Sequence, residues 1–185
     1  MFSSTSRSST APLPPLSTCV QPSAFVDEEI LSFLLPTEIP YILLKSTTQQ
    51  HVFTNLAYIS RKVDESNTKT IQRYDYLNHK IADVTYETSD TIIKFTFRVD
   101  ARPVLIRVSI NEFEILRKYY KAIVAVSKAQ VIQAKKLDIF TKIYSNQLNM
   151  TEQAGSTKES VQLVDSIFEQ YCDSYGTIFY EHLFK

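Results

Sequence analysis

Asp75, His79 and Asp83 recur at intervals of four, a spacing that on a helix would set two carboxylates and an imidazole on one face able to hold a metal ion. The residues around them alternate as strands joined by a turn, however, and there the same spacing spreads the three side chains apart. His79 therefore reads as a surface histidine, and no metal site is assigned. Serine-histidine-aspartate chemistry calls for a nucleophile on a sharp strand-to-helix elbow, and the chain has no G-x-S-x-G. Cys172 stands beside Tyr171 in acidic surroundings that disfavour a thiolate, so it reads as packed rather than reactive. Only two glycines occur, Gly155 and Gly176, where ordinary usage would give roughly 13. Phosphate-cradling loops and dinucleotide turns need several glycines for close backbone approach, and both are excluded. No catalytic residue and no cofactor is assigned; the chain reads as non-enzymatic.

Charge offers one further candidate. Lys94 and Arg98 fall on the outer face of one alternating segment and Arg107 on the next, a cluster able to meet an acidic lipid or peptide. Asp83, Glu87 and Asp100 lie close in sequence, so the cluster also reads as an ordinary solvated exterior. The 185 residues carry 20 basic and 20 acidic side chains, so nothing draws the whole chain to nucleic acid. Eleven tyrosines and eleven phenylalanines are not interleaved with cations on one face, as a base-stacking surface requires. Apolar runs such as Ile39–Leu44 are far too short to span a membrane.

These residues must be positioned by the elements that period and punctuation define. Residues 1–23 hold fourteen Ser, Thr or Pro and one charge, Arg7, and cannot bury enough apolar surface to offset ordering, which predicts a disordered tail. An organellar transit peptide is the second reading of that segment. Cys19 and Cys172, far apart, fit free thiols in a reducing, cytoplasmic setting. Asp27 predicts the cap of a short helix ending at Pro36. Period-two alternation then predicts strands at Pro40–Ser46, His51–Ser60, Thr70–Tyr76, Ile81–Thr88, Thr91–Val99 and Val104–Ser109. In the clearest, Ile93, Phe95, Phe97 and Val99 oppose Ile92, Lys94, Thr96 and Arg98. So many short strands imply an antiparallel sheet, wet on one face and curled into a barrel or sandwich.

At Ser109 the period changes. Ser109 through Glu112 has the form of a capping box, and apolar spacing continues from Phe113 to Leu148 without Gly or Pro, as one long helix or two joined by a bend. Gly155 breaks it, Ser156 through Glu159 repeats the capping signature, and Gly176 ends the next helix. Residues 110–148 carry seven basic and three acidic groups, net +4; residues 149–185 carry two and six, net −4. Opposite charge on successive helices predicts an antiparallel hairpin.

Between Tyr41 and Val126 a set of short motifs stands in recognisable order: Tyr41 to Ser46, Val52 to Ile59, Arg73 to Tyr76, His79 to Ile81, Thr85 to Thr88, Ile93 to Phe95, and Tyr120 to Ile123. In that order they resemble the bacterial pleckstrin-homology-like proteins of the YvbH type. The resemblance implies an α+β fold: a bent, seven-stranded antiparallel barrel closed by a C-terminal helix, followed in some members by a helical region named for oligomerisation, with relatives assembling as rings. It implies a barrel with its capping helix over 27–126 and a helical extension over 127–185. Ser89-Asp90-Thr91 replaces a longer family hairpin, so contacts made by that hairpin are not carried over. Phosphoinositide binding is not carried over either, because the loop at Ser46 to Gln50 has Lys45 as its one neighbouring cation in sequence. The barrel needs one helix to close it. Ile132, Ile139, Phe140, Ile143, Tyr144 and Leu148, with Phe168, Tyr171, Ile178, Phe179 and Leu183 among those further on, still need cover. That surplus points to a homo-oligomer or a protein partner docking on the C-terminal helices. The alternative is an adaptor for an acidic lipid or peptide on Lys94, Arg98 and Arg107.

Overall fold

Eight strands and one long helix form in the computed structural model, which describes residues 13–20, 29–150, 166 and 173–185, less the side chains of 140, 141 and 143–150. The strands are β1 (Leu16–Val20), β2 (Pro40–Lys45), β3 (Gln49–Thr54), β4 (Ala57–Val63), β5 (Lys69–Asp75), β6 (Ile81–Thr88), β7 (Ile92–Val99) and β8 (Arg102–Ser109); α1 is Phe113–Met150. Their order across the sheet is β5-β4-β3-β2-β1-β8-β7-β6. Two meanders, β2 to β5 and β6 to β8, are thus joined through β1, antiparallel to β2 and parallel to β8.

The inward alternation of β7 is as the period predicts: Ile93, Phe95, Phe97 and Val99 are buried, and Ile106 and Val108 of β8 join them. Phe53, Tyr58 and Phe97 pack ring against ring across the interior, at centroid distances of 4.9 to 5.5 Å. The turns also form where Ser and Asp mark them. Ser89 accepts from and donates to Ile92, and Asp100 takes a left-handed φ of 55° that lets Val99 pair with Arg102.

Four features depart from the sequence pattern. Leu16–Val20 is a strand rather than part of a disordered tail; its poor apolar content is offset by pairing on both sides within the sheet. His51–Ser60 is two strands, because the Thr54 hydroxyl accepts from the amides of Leu56 and Ala57 at 3.0 and 2.9 Å and reverses the chain without Gly or Pro. The first meander has no wholly wet face: Ile30, on a 3-10 turn at Glu29–Phe33, covers Leu43, Val52, Ala57 and Ile59 from outside. Finally, Ser109 accepts from Asn111 rather than Glu112, and the Glu112 carboxylate instead accepts the amide of Cys19 in β1. The capping signature is spent on tying the N-terminal strand to the helix entrance.

Helix α1 is continuous across residues 126 and 127 and is 38 residues long, about 57 Å at 1.5 Å per residue. Leu116, Tyr119, Ala122, Ile123 and Val126, three or four apart, close the barrel. Helical structure also runs through residues 173–184, so Gly176 does not end a helix. A side chain there would begin 3.2 Å from the Tyr41 hydroxyl, and glycine permits that approach. The second capping signature at Ser156, the break at Gly155, and Phe168, Tyr171 and Cys172 lie outside the described residues.

Candidate functional site

Where α1 leaves the barrel, two glutamines organise its surroundings. Gln130, buried at 7% exposure, accepts from the Ile81 amide at 2.9 Å and donates to the carbonyls of Tyr76 and His79 at 3.0 and 2.8 Å. It thereby satisfies the backbone between β5 and β6, where the sheet does not close on itself. One turn on, Gln133 donates to the Ser174 hydroxyl at 2.8 Å and accepts from the Tyr175 hydroxyl. Tyr175 and Phe179 enter the core; Tyr175 meets Tyr76 edge-on at 5.0 Å and Phe179 stacks on Tyr41 at 5.2 Å. Leu183 and Phe184 share a cleft of about 230 Å³ with Ile115 and Tyr119, so the C-terminal helix runs back antiparallel to α1.

Beside and beyond Gln133, α1 offers apolar groups without comparable cover. Ile132 is 54% exposed and Ile139 57%, two turns apart on one face. On the C-terminal helix Tyr180 and Phe184 are about half exposed, their rings 5.7 Å apart. Between the helices runs a groove of about 570 Å³, lined by Ala129, Ile132 and Lys136 on one side and Asp173, Thr177 and Ile178 on the other. Of the sequence-selected docking residues, Ile139 is exposed; Phe140, Ile143, Tyr144 and Leu148 lie on α1 with undescribed side chains. Among the described helical residues, Ile132, Tyr180 and Phe184 are exposed as well. For Phe184 the signal was its place one turn after Tyr180.

The basic cluster is only partly gathered. Lys94 and Arg107 stand opposite each other in the β7–β8 register. Arg98 is paired with Asp83, Lys94 faces Glu87 across β6, and Arg107 donates to the Pro14 carbonyl at 3.0 Å. At the turn after β2, register sets Lys62 of β4 beside Gln49, a cation that chain order hides, with Asp64 in the same cleft. His79 does not meet Asp75 and Asp83 through side chains; its Nδ1 bonds Asp100 at 2.7 Å. Among the described residues no group of three His, Cys, Asp or Glu could hold a metal ion.

His51 is the one histidine sealed inside. Its Nδ1 lies 2.7 Å from the Tyr58 hydroxyl, and burial, with Lys62 adding repulsion, lowers its pKa to about 3. The unfolded chain binds a proton near pH 6.5 while the folded one refuses it, so stability falls as pH drops from 6.5 toward 3. By pH 5 the loss from this group is about 2 kcal/mol at 1.4 kcal/mol per unit. Urea melts at pH 7.5 and 5.0 should show that difference in the wild type, reduced by about the same amount in His51→Gln.

No protein-family model matches the chain. It is 30% identical over 93 residues to the uncharacterized protein YvbH of Bacillus subtilis, a match covering 48% of this chain. The matched stretch spans about half of that relative, 46% of its length. The fold superposes on the crystal structure of a PH domain containing bacterial protein from Exiguobacterium sibiricum, with a TM-score of 0.74 at 21% identity, covering 91% of this chain and 99% of that one. The fold is therefore pleckstrin-homology-like, in an α+β arrangement, and the matched stretch is similar in sequence to YvbH. Among the described residues no helix is long and apolar enough to cross a membrane.

Proposed function

We propose that this YvbH-type pleckstrin-homology-like chain is a non-enzymatic, cytoplasmic interaction module that self-associates through its C-terminal helices. The observation carrying the proposal is the exposure of Ile132 and Ile139 on a helix that outruns the barrel it closes. From Ala134 onward α1 continues for 17 residues, about 25 Å, past its last glutamine anchor. Two isoleucines more than half exposed on one face form the kind of surface that a partner covers. A second copy suits it in charge as well, since each brings a segment of net +4 and one of net −4. The basic cluster supports an acidic ligand less well, because Arg98 and Arg107 already have partners within the fold.

The test is light scattering on the full chain and on Ile132→Glu/Ile139→Glu. The wild type should weigh a multiple of 21.3 kDa at micromolar concentration. At that same micromolar concentration the double variant should fall to the monomer mass with its melting temperature nearly unchanged, since both side chains face solvent in the single chain. A variant that keeps the wild-type mass overturns the assignment to this face.

A further inference from the structure

β1 occupies a slot that no other strand closes, for β2 and β8 are neighbours only through it. Thr18, Cys19 and Val20 pair with Lys45, Leu44 and Leu43 of β2, and Leu16 and Ser17 pair in parallel with Arg107 and Val108 of β8. Three barrel side chains add contacts, and each addresses a peptide group rather than a side chain. Arg107 donates to the Pro14 carbonyl at 3.0 Å, Tyr119 donates to the Val20 carbonyl at 3.2 Å, and Glu112 accepts the Cys19 amide. The strand's own side chains bury only in part: Leu16 is 48% exposed and Thr18 is exposed, Ser17 is enclosed at 3%, and Cys19 and Val20 are half-buried against the two cores. A segment held by its backbone, with few buried apolar atoms, opens more readily than the core around it. A slot that reads backbone accepts an extended chain from elsewhere, provided a small residue sits where Ser17 does and compact apolar ones where Cys19 and Val20 do.

We propose that this slot is an intermolecular site in which a second copy of the chain seats its own Leu16–Val20, each copy lending the strand to the other's sheet. The occupant follows from fit: the segment shown to satisfy every contact is carried by every copy, and reciprocal exchange closes into a symmetric pair. This route is independent of the exposed helix face and survives the loss of Ile132 and Ile139.

A fluorescent peptide spanning residues 13–21, titrated into the full-length protein, tests it. Saturable binding is expected, weaker by tenfold or more for the same peptide carrying Ser17→Arg. The full chain carrying Ser17→Arg, unable to seat its own strand, should bind the unaltered peptide at least tenfold tighter than the wild type, because self-competition is removed. Excess peptide should also reduce the dimer formed by Ile132→Glu/Ile139→Glu at high concentration. Equal binding of both peptides, or peptide binding with no dimer of that double variant at any concentration, overturns the proposal. So does absence of binding together with amides of Thr18 to Val20 that exchange no faster than those of Phe95. Should the Ser17→Arg chain fail to fold, the two peptides on the wild type still decide.

Discussion

Phe179→Ala should cost about 4 kcal/mol, the upper part of the range for emptying a buried aromatic site. Phe179 has no exposed surface, stacks on Tyr41, and belongs to the same core as Phe95 and Ile123, so the cavity would open where barrel, α1 and C-terminal helix meet. The neighbouring Gly176 packs against the Tyr41 hydroxyl, which leaves the backbone little room to collapse into the space. Chemical denaturation at neutral pH, followed by tyrosine fluorescence and by circular dichroism, should show one transition shifted to lower denaturant. Two transitions, with the barrel signal unmoved, would mean that the C-terminal helix is docked without contributing to barrel stability.

Glu38→Ala is the second large effect, about 3 kcal/mol. The Glu38 side chain is wholly buried, receives Arg73 Nη1 at 2.6 Å and the Leu35 amide at 3.0 Å, and accepts the Thr54 hydroxyl. Removing it strands a guanidinium that is 24% exposed and also linked to Asp75 at 2.8 Å, so water and that second carboxylate recover part of the loss. Glu38→Gln, which keeps acceptor capacity and loses the charge, should cost about half as much. Equal denaturation midpoints for wild type and Glu38→Ala would contradict the assignment of this carboxylate as the clasp between the chain before β2 and strand β5.

Much of this architecture was legible because a single period governed each stretch. Ile93 to Val99 alternate without interruption, and from Phe113 the 3.6-residue period never meets a Gly or Pro, so strand and helix announced themselves. The motif order from Tyr41 to Ile123 carried the fold family. What escaped was held by partners distant in the chain. β1 has the composition of a tail, and its anchors Arg107, Glu112 and Tyr119 lie more than ninety residues away in sequence. The break between β3 and β4 is made by one threonine hydroxyl, with Asn55 beside it, in a segment otherwise rich in strand formers. Gly176 resembles a helix terminator until Tyr41 is seen beside it. For the candidate site, Ile139 followed from helical spacing, whereas the exposure of Ile132 depends on where the C-terminal helix lies.

The account's central claim is association of copies through the C-terminal helices, and sedimentation equilibrium on the unmodified chain across the micromolar range addresses it most directly. The account predicts a mass that rises with concentration toward an integral multiple of 21.3 kDa. A constant 21.3 kDa at every loading would contradict it.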